Sequence, residues 1–504
     1  MATTLKIDSP GSFARSSLRM RLENFRVFRD SGWFKVAPLT CLVGRNSSGK
    51  SSVVSAILLL KQSLEQETMG QALMPLTLSG PICDLGNYRD VVHEHDEKSE
   101  ITLSLTLNLI DLKSMSSRRR APFVELRIPR RRGGFRYGGY YYYHDDRLPK
   151  VGDITVRFTF SSNEPFGPSL NALEIVVTNA GSVRFDQVES GRRQNWKTHT
   201  KSFSPKALSL SPGGFFPSID VQGSSYKRST PRTKRQVRTF TAASHALFGY
   251  LSELLSRSDV IGPFRTPPER RYSFGGFSSI PSGATGEKAV NLLITESLLS
   301  GASSARPLHE AVSFWIKHLK LAKSLDIRDI AKRLNLFQVD VRGAGQRATA
   351  NLADVGFGVS QVLPVIVQGL LMQAGGIYIV QQPEIHLHPD AQAGLADFFI
   401  YLASYGVTTI VETHSEYLLL RLRRRLAEGA KPISAGLIAE RYGAPPLTRD
   451  EVAVLFTGSD GAQARVRQLG IGKSFQFENL PPGFMSQALE DRSALLSKVS
   501  KQDA

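Results

Sequence analysis

The chain has 504 residues, 41% of them hydrophobic and 21% charged, the balance of a globular protein with length for about three domains. No stretch nears the roughly 18 consecutive apolar residues of a membrane helix, and the N-terminus "MATTLKIDSPGSFARSS" has no signal-peptide apolar run, so neither membrane nor secretion is expected and a cytoplasmic location is. Lys and Arg outnumber Asp and Glu by 63 to 45, a formal charge of +18 that favours polyanionic partners, nucleic acid first, with plain solubility as the bland alternative.

Residues 18 to 62 read as strand, strand, loop, helix. "LRMRLENFRVF" alternates as a half-buried strand, "LTCLVG" is short and fully apolar, and "SSVVSAILLLKQSL" has the spacing of an amphipathic helix. Cys41 and Cys83 sit in apolar contexts, as reduced buried thiols do. After "LGNYRDVVHEHD", the run "EITLSLTLNLI" alternates again and predicts an antiparallel layer beside the first unit. From 111 to 240 the texture is basic, Gly-, Ser- and Pro-rich, predicting a β-rich insertion with long loops. A helical stretch follows over 241–340. Strands return in "GGIYIVQQPE" and "GVTTIVETHS", each followed by a helix, the parallel pattern of the opening resumed within 341–443. Residues 444–504 read as a small C-terminal domain. The simplest architecture is one α/β core, begun by residues 1–110 and split by a long β-rich and helical insertion.

"GRNSSGKS" is a complete G-x-x-x-x-G-K-[ST] match. Gly44, Arg45, Asn46, Ser47, Ser48, Gly49, Lys50, Ser51 and Ser52 would aim backbone N–H groups and a helix N-terminus at phosphate oxygens. Lys50 would reach the β/γ-phosphates of ATP, and the Ser51 hydroxyl would hold Mg²⁺. A strand before the loop and a helix after it are the context the motif requires.

A second strand usually supplies a carboxylate for Mg²⁺ and an adjacent acid for the attacking water. In "IYIVQQPEIHLHP" Gln381 stands at the metal position and Gln382 at the water position. An amide keeps the shape of Glu without its charge, so chemistry slows while binding survives. Glu384 is the nearest substitute base. His386 and His388 read as loop residues rather than zinc ligands. At the end of "TTIVETHS", His414 is placed to sense the γ-phosphate or the attacking water. In "DVGFGVSQVLPVIVQGLLM" a glycine loop with Gly358 leads to Ser360 and Gln361 at a helix start. That arrangement suits either phosphate binding or plain capping.

These four elements, in this order, resemble the ATP-binding-cassette heads of the SMC, RecF and overcoming-lysogenization-defect group, and bacterial AAA-family ATPases with a short C-terminal domain. "LENFRVFRD", "LGNYRDVVHEHD", "IGPFRTPPERRY" and "FENLPPGFM" add to the likeness, which covers roughly residues 18–105 and 258–490. The resemblance implies an ATP sandwich in which the Ser360 loop of one head caps the γ-phosphate held by Lys50 and Ser51 of another. It makes Gln382 ordinary, since relatives read E-N-P-E or E-Q-P-E, and Gln381 the departure. That departure is either a naturally slowed site or a Glu→Gln change that traps ATP. With about 60 residues after 443, no Toprim-like nuclease module is expected. Relatives of this shape look like the ATPase subunits of antiphage systems such as Septu and PARIS, which form homo-oligomers and hold a separate effector, often a nuclease.

Two basic runs bear on DNA. Arg118 to Arg136 holds eight arginines against Glu125 alone and is followed by Tyr137 and Tyr140 to Tyr143; Lys227, Arg228, Arg232, Lys234, Arg235 and Arg238 form the second. Both could track phosphates, or meet an acidic protein. A RecF- or SMC-like DNA-repair ATPase is therefore the alternative to a defence ATPase, and a binding module with structural ATP is a third reading. No long heptad arm is present, which weighs against SMC function.

Overall fold

The structure is a computed structural model. It describes residues 18–65, 74–108, 152–162, 167–188, 195–211, 215–276, 283–300, 307–331, 334–343, 345–429, 447–460 and 463–481. The basic run from Arg118 to Arg136 and the tyrosines after it lie outside them.

Two large sheets organise the described residues. The central one has spatial order β12 (Asp259–Ile261), β17 (Ile377–Gln381), β18 (Thr408–Glu412), β4 (Leu39–Gly44), β19 (Val452–Asp460), β20 (Gln463–Ile471), β21 (Phe477–Glu478). Its first five strands run parallel, and β20 and β21 return antiparallel. Successive side chains of a strand point to opposite faces, and here both faces are covered. Leu42, Ile377, Ile379 and Ile410 enter one apolar core, while Cys41, Val43, Tyr378, Val380 and Val411 enter the other. That double burial is why "LTCLVG" and "IYIV" read as unbroken apolar runs. Four of the five sequence segments contribute strands to this sheet, and residues 452–478 supply three of them.

The second sheet is an antiparallel meander, β2 (Phe28–Asp30), β1 (Arg19–Phe25), β5 (Ile101–Asn108), β6 (Asp153–Ser161), β7 (Ser169–Val177), β8 (Gly181–Val188), β9 (Asn195–Thr200), with β3 (Phe34–Lys35) beside β1. The run "LRMRLENFRVF", read as one strand, is a hairpin, because Asn24 and Arg26 take positive φ of 52° and fold β2 back on β1. β5 pairs with β1 as the alternation predicted, and the β-rich character of 111–240 appears in β6 to β9 and in the hairpin β10 (Leu208–Ser211)–β11 (Ser218–Val221). A smaller sheet joins β13 (Tyr272–Ser273), β14 (Ser324–Ala331), β15 (Leu336–Arg342) and β16 (Ala350–Asn351).

Helices fill the space between and around the sheets: α1 (Lys50–Glu65), α2 (Tyr88–Val91), α3 (Gly223–Lys227), α4 (Pro231–Ser256), α5 (Ala289–Ser300), α6 (Pro307–His318), α7 (Phe357–Leu371), α8 (Pro389–Ser404) and α9 (Glu416–Glu428). α1 and α4 share the first core with the meander, where Phe248 of α4 stacks on Phe216 and both meet Phe158 of β6. α5 to α9 pack in the second core. There Asp397 of α8, fully buried, accepts hydrogen bonds from Arg421 and Arg425 of α9 and contacts His318 of α6 at 3.0 Å. The basic helix after His414 thus spends two of its arginines on the core. No helix among the described residues is long and apolar enough to cross a membrane.

Candidate functional site

β4 runs directly into the loop 45–49 and on into α1. Gly44 has φ 144° and Gly49 φ 109°, conformations that favour glycine. A Cβ at Gly44 would collide with the Thr457 carbonyl, and one at Gly49 would lie 2.6 Å from the Phe28 ring. The loop is braced from β19: Thr457 donates to the Val43 carbonyl at 3.3 Å, which leaves Ser48 as donor in the 2.6 Å contact between the two hydroxyls. Arg45, Asn46, Ser47 and Ser51 are exposed, whereas Ser52 is buried with its N–H on the Gly49 carbonyl. Lys50 is buried, and its ammonium donates to the carbonyls of Gly44 and Arg45 at 2.9 and 2.7 Å. Burial lowers its pKa against the opposing fields of Glu412 and Glu384. The lysine is folded onto the loop that it would leave to meet phosphate.

β17 ends at Gln381, and the chain turns out of the sheet at Gln382, which has φ 45° and donates its N–H to the Glu412 carbonyl at 2.7 Å. The Gln381 amide donates to Glu412 Oε2 at 2.8 Å, and Ser51 Oγ lies 3.4 Å from Glu412 Oε1. Glu384 is buried; its Oε1 accepts the His414 N–H at 2.6 Å and its Oε2 has no partner. Burial raises the Glu384 pKa, only partly offset by that hydrogen bond, by Thr413 and by the Arg265 charge. His414 is exposed, with its pKa lowered first by partial burial and then by the Lys50 charge. Gly44 to Ser51, Gln381, Gln382, Glu384 and His414 therefore share one end of the sheet, the end at which parallel α/β sheets bind ligands.

α7 is placed differently from the sequence expectation. Its cap is Gly356, so Ser360 lies one turn inside the helix, 5% exposed, with its hydroxyl on the Phe357 carbonyl at 3.0 Å. Gln361 is buried too, and Gly358 sits against Leu387 and the His386 carbonyl. The exposed residues at this helix start are Gly356 and Phe357, the latter with its ring 5.5 Å from that of His386.

Three residues went unassigned in the sequence. Arg265, buried, donates to the carbonyls of Gln381 at 2.7 Å and Gln382 at 3.3 Å, holding the turn at the strand end, while its Nε has no partner. Five residues on, Arg270 bonds Asp354 just before α7 at 2.9 Å, so "IGPFRTPPERRY" joins the two halves of the site. Glu412, 4% exposed, closes β18 beside Gln381. The matching five-residue strands "IYIVQ" and "TTIVE", each ending in a polar side chain, were its signal.

A strand–P-loop–helix unit at the edge-on face of a parallel sheet, with polar strand ends beside it, defines a P-loop nucleotide-binding fold of mixed α/β architecture. A family profile described as "AAA domain, putative AbiEii toxin, Type IV TA system" matches residues 287–421. Among solved structures, the chain is similar to an SmcHead bound to the C-winged helix domain of ScpA, at 10% identity and TM-score 0.38, over 90% of this chain and 98% of that one. It is similar to an Smc head domain with an extended coiled coil bound to the C-terminal domain of ScpA from Pyrococcus furiosus, at 10% identity and TM-score 0.38, over 96% and 99%. The SMC head domain from Thermotoga maritima matches at 9% identity and TM-score 0.34, over 91% and 100%. No curated protein matches the sequence.

Proposed function

We propose that the chain is an ABC-type ATPase that binds and hydrolyses ATP, assembles as a nucleotide-sandwich homo-oligomer, and holds or controls a separate effector, a nuclease by the resemblance, in cytoplasmic antiphage defence. The observation that carries the nucleotide part is the convergence of the Gly44–Ser51 loop with Gln381, Glu384 and His414 at one sheet end. The loop and Lys50 would hold the phosphates of ATP, and Ser51 beside Gln381 would hold Mg²⁺. Glu384, with a free buried oxygen and a raised pKa, is suited to accept the proton of an attacking water, and His414 to contact the γ-phosphate. Sandwich formation is supported by two large apolar side chains on this rim: Phe264, next to Arg265, is 85% exposed, and Phe357 at the start of α7 is 58% exposed.

One feature favours the alternative, an ATPase of the RecF or SMC kind that binds DNA directly. From Val221 to Ser252 the chain has no Asp or Glu, and Lys234 and Arg238 gather on the Tyr226 ring at 5.9 and 6.0 Å. The test is ATP turnover, nucleotide retention and mass in solution with Mg²⁺, for this chain and Gln381→Glu side by side. Retained, unhydrolysed ATP with a doubled mass, and turnover restored by Glu, is the expected result. Equal idleness of both proteins with ATP bound would sink the hydrolase reading. A mass independent of ATP would sink the sandwich.

A further inference from the structure

The site lacks an acid at 381, yet it does not lack a carboxylate. β18 lies between β17 and β4, and the register sets Glu412 beside Gln381 on one side and Leu42, two residues before the loop glycine, on the other. The Glu412 side chain is almost wholly buried, and the hydrogen bonds its carboxylate accepts come from the neutral Gln381 amide and the neutral Ser51 hydroxyl. No Lys or Arg of the described residues forms an ion pair with it. Its hydrogen-bond partners are neutral and the Lys50 charge acts on it only through space, without an ion pair, so a buried carboxylate here is a costly arrangement for packing alone, where Gln or Thr would serve. It becomes favourable when a cation arrives. The 3.4 Å contact to Ser51 is at the long limit of a hydrogen bond, so the hydroxyl can turn toward a metal at little cost.

Among the described residues no group of three His, Cys, Asp or Glu could hold a metal by itself. That fits Mg²⁺, which keeps several waters and is bound mainly by substrate phosphates with one or two protein oxygens. We propose that Glu412 is the metal-side acid of this site: its carboxylate receives a water of the Mg²⁺ that Ser51 and the ATP phosphates hold, and the Gln381 amide orients it. Gln381 is then a positioning residue, and the charge missing from β17 is supplied one strand closer to the loop. Glu384 is separate from this task, since its bonded oxygen is turned to the His414 backbone. The inference rests on the proposed ATP site and names the residue that serves its metal.

The test is calorimetric titration of the full chain with ATP, once with Mg²⁺ and once with EDTA, for the parent protein, Glu412→Gln, Glu412→Asp and the remote control Glu174→Ala. Loss of an outer-shell partner costs about 10–100-fold in metal affinity. Glu412→Gln is expected to lose a factor of that size from the Mg²⁺-dependent affinity, while metal-free ATP binds at least as tightly because a repelling charge is gone. Mn²⁺ in place of Mg²⁺, followed by its paramagnetic resonance with ATP present, should show the same loss. Glu412→Asp should recover part of it, and Glu174→Ala, on β7 of the meander, should keep it all. Metal-free binding doubles as the control for a folded site. Undiminished Mg²⁺ dependence in Glu412→Gln, with ATP still bound, overturns this proposal alone. Absence of ATP binding by the parent protein in both buffers overturns the nucleotide reading and this one with it.

Discussion

The central sheet and the meander spend similar apolar sequences in opposite ways. In the meander, β5 to β9 pair in chain order, and one face of each strand packs inward, so "DITVRFTFS" alternates buried and half-buried along its length. In the central sheet, neighbours come from residues 39, 259, 377, 408 and 452 onward, and both faces are buried. Local hairpins build a surface that needs little of the rest of the chain. Long-range parallel pairing instead brings together strand ends that are far apart in sequence, and the polar residues there are the chemistry. The meander should therefore answer to mutation in stability, the central sheet's rim in ligand binding.

The largest expected effect is in the meander. Phe158→Ala empties a fully buried site among Phe160, Phe216 and Phe248 and should cost about 3–5 kcal/mol in denaturant unfolding, with the ATP affinity of the folded protein unchanged. A fall in affinity would blur the division between the two sheets. Lys50→Ala is the converse. It should weaken ATP binding on the order of a hundredfold, about 2.7 kcal/mol, measured by titration, and leave the unfolding midpoint in place.

A third test concerns the helices over the central sheet. Burial pushes the Asp397 carboxyl up, but hydrogen bonds from His318 and Arg425 and the charges of Arg425 and Arg421 outweigh it and hold the pKa at about 2. A pKa depressed in the fold gives stability that is present above the unfolded value near 3.8 and lost as pH falls through about 2. That contribution is roughly 2 kcal/mol, and unfolding curves at pH 5 and pH 2.5 should show most of it going. Asp397→Asn should lose it at pH 5 and flatten that part of the profile. The smallest effect returns to the meander's open face. The Arg157–Glu174 contact is 3.5 Å, long and partly solvated, so Glu174→Ala should change unfolding free energy by less than about 0.5 kcal/mol.

Much of this was legible in the residues. "LTCLVG" became β4 to the residue, and "SSVVSAILLLKQSL" lies within α1. The P-loop needs only contiguous residues, so its motif could be read directly. Ser360, expected at a helix start, lies a turn inside it because helix phase decides what an N-terminal residue faces, and the helix starts at Phe357 after its cap Gly356 rather than at the serine. Glu412 was passed over because a strand-end acid has no meaning until its neighbours are known. Arg265 lies 116 residues from the carbonyl it holds, and no local pattern announces such a bond.

By itself, then, the sequence determined the P-loop, the apolar strands, the amphipathic helices and the missing acid at 381, because each depends on periodicity or on residues adjacent in the chain. Only the tertiary structure decided that β18 lies between β17 and β4 and so sets Glu412 between Gln381 and Ser51. Strand order and register are settled by burial of whole faces at once, a collective energy that no short stretch of residues carries.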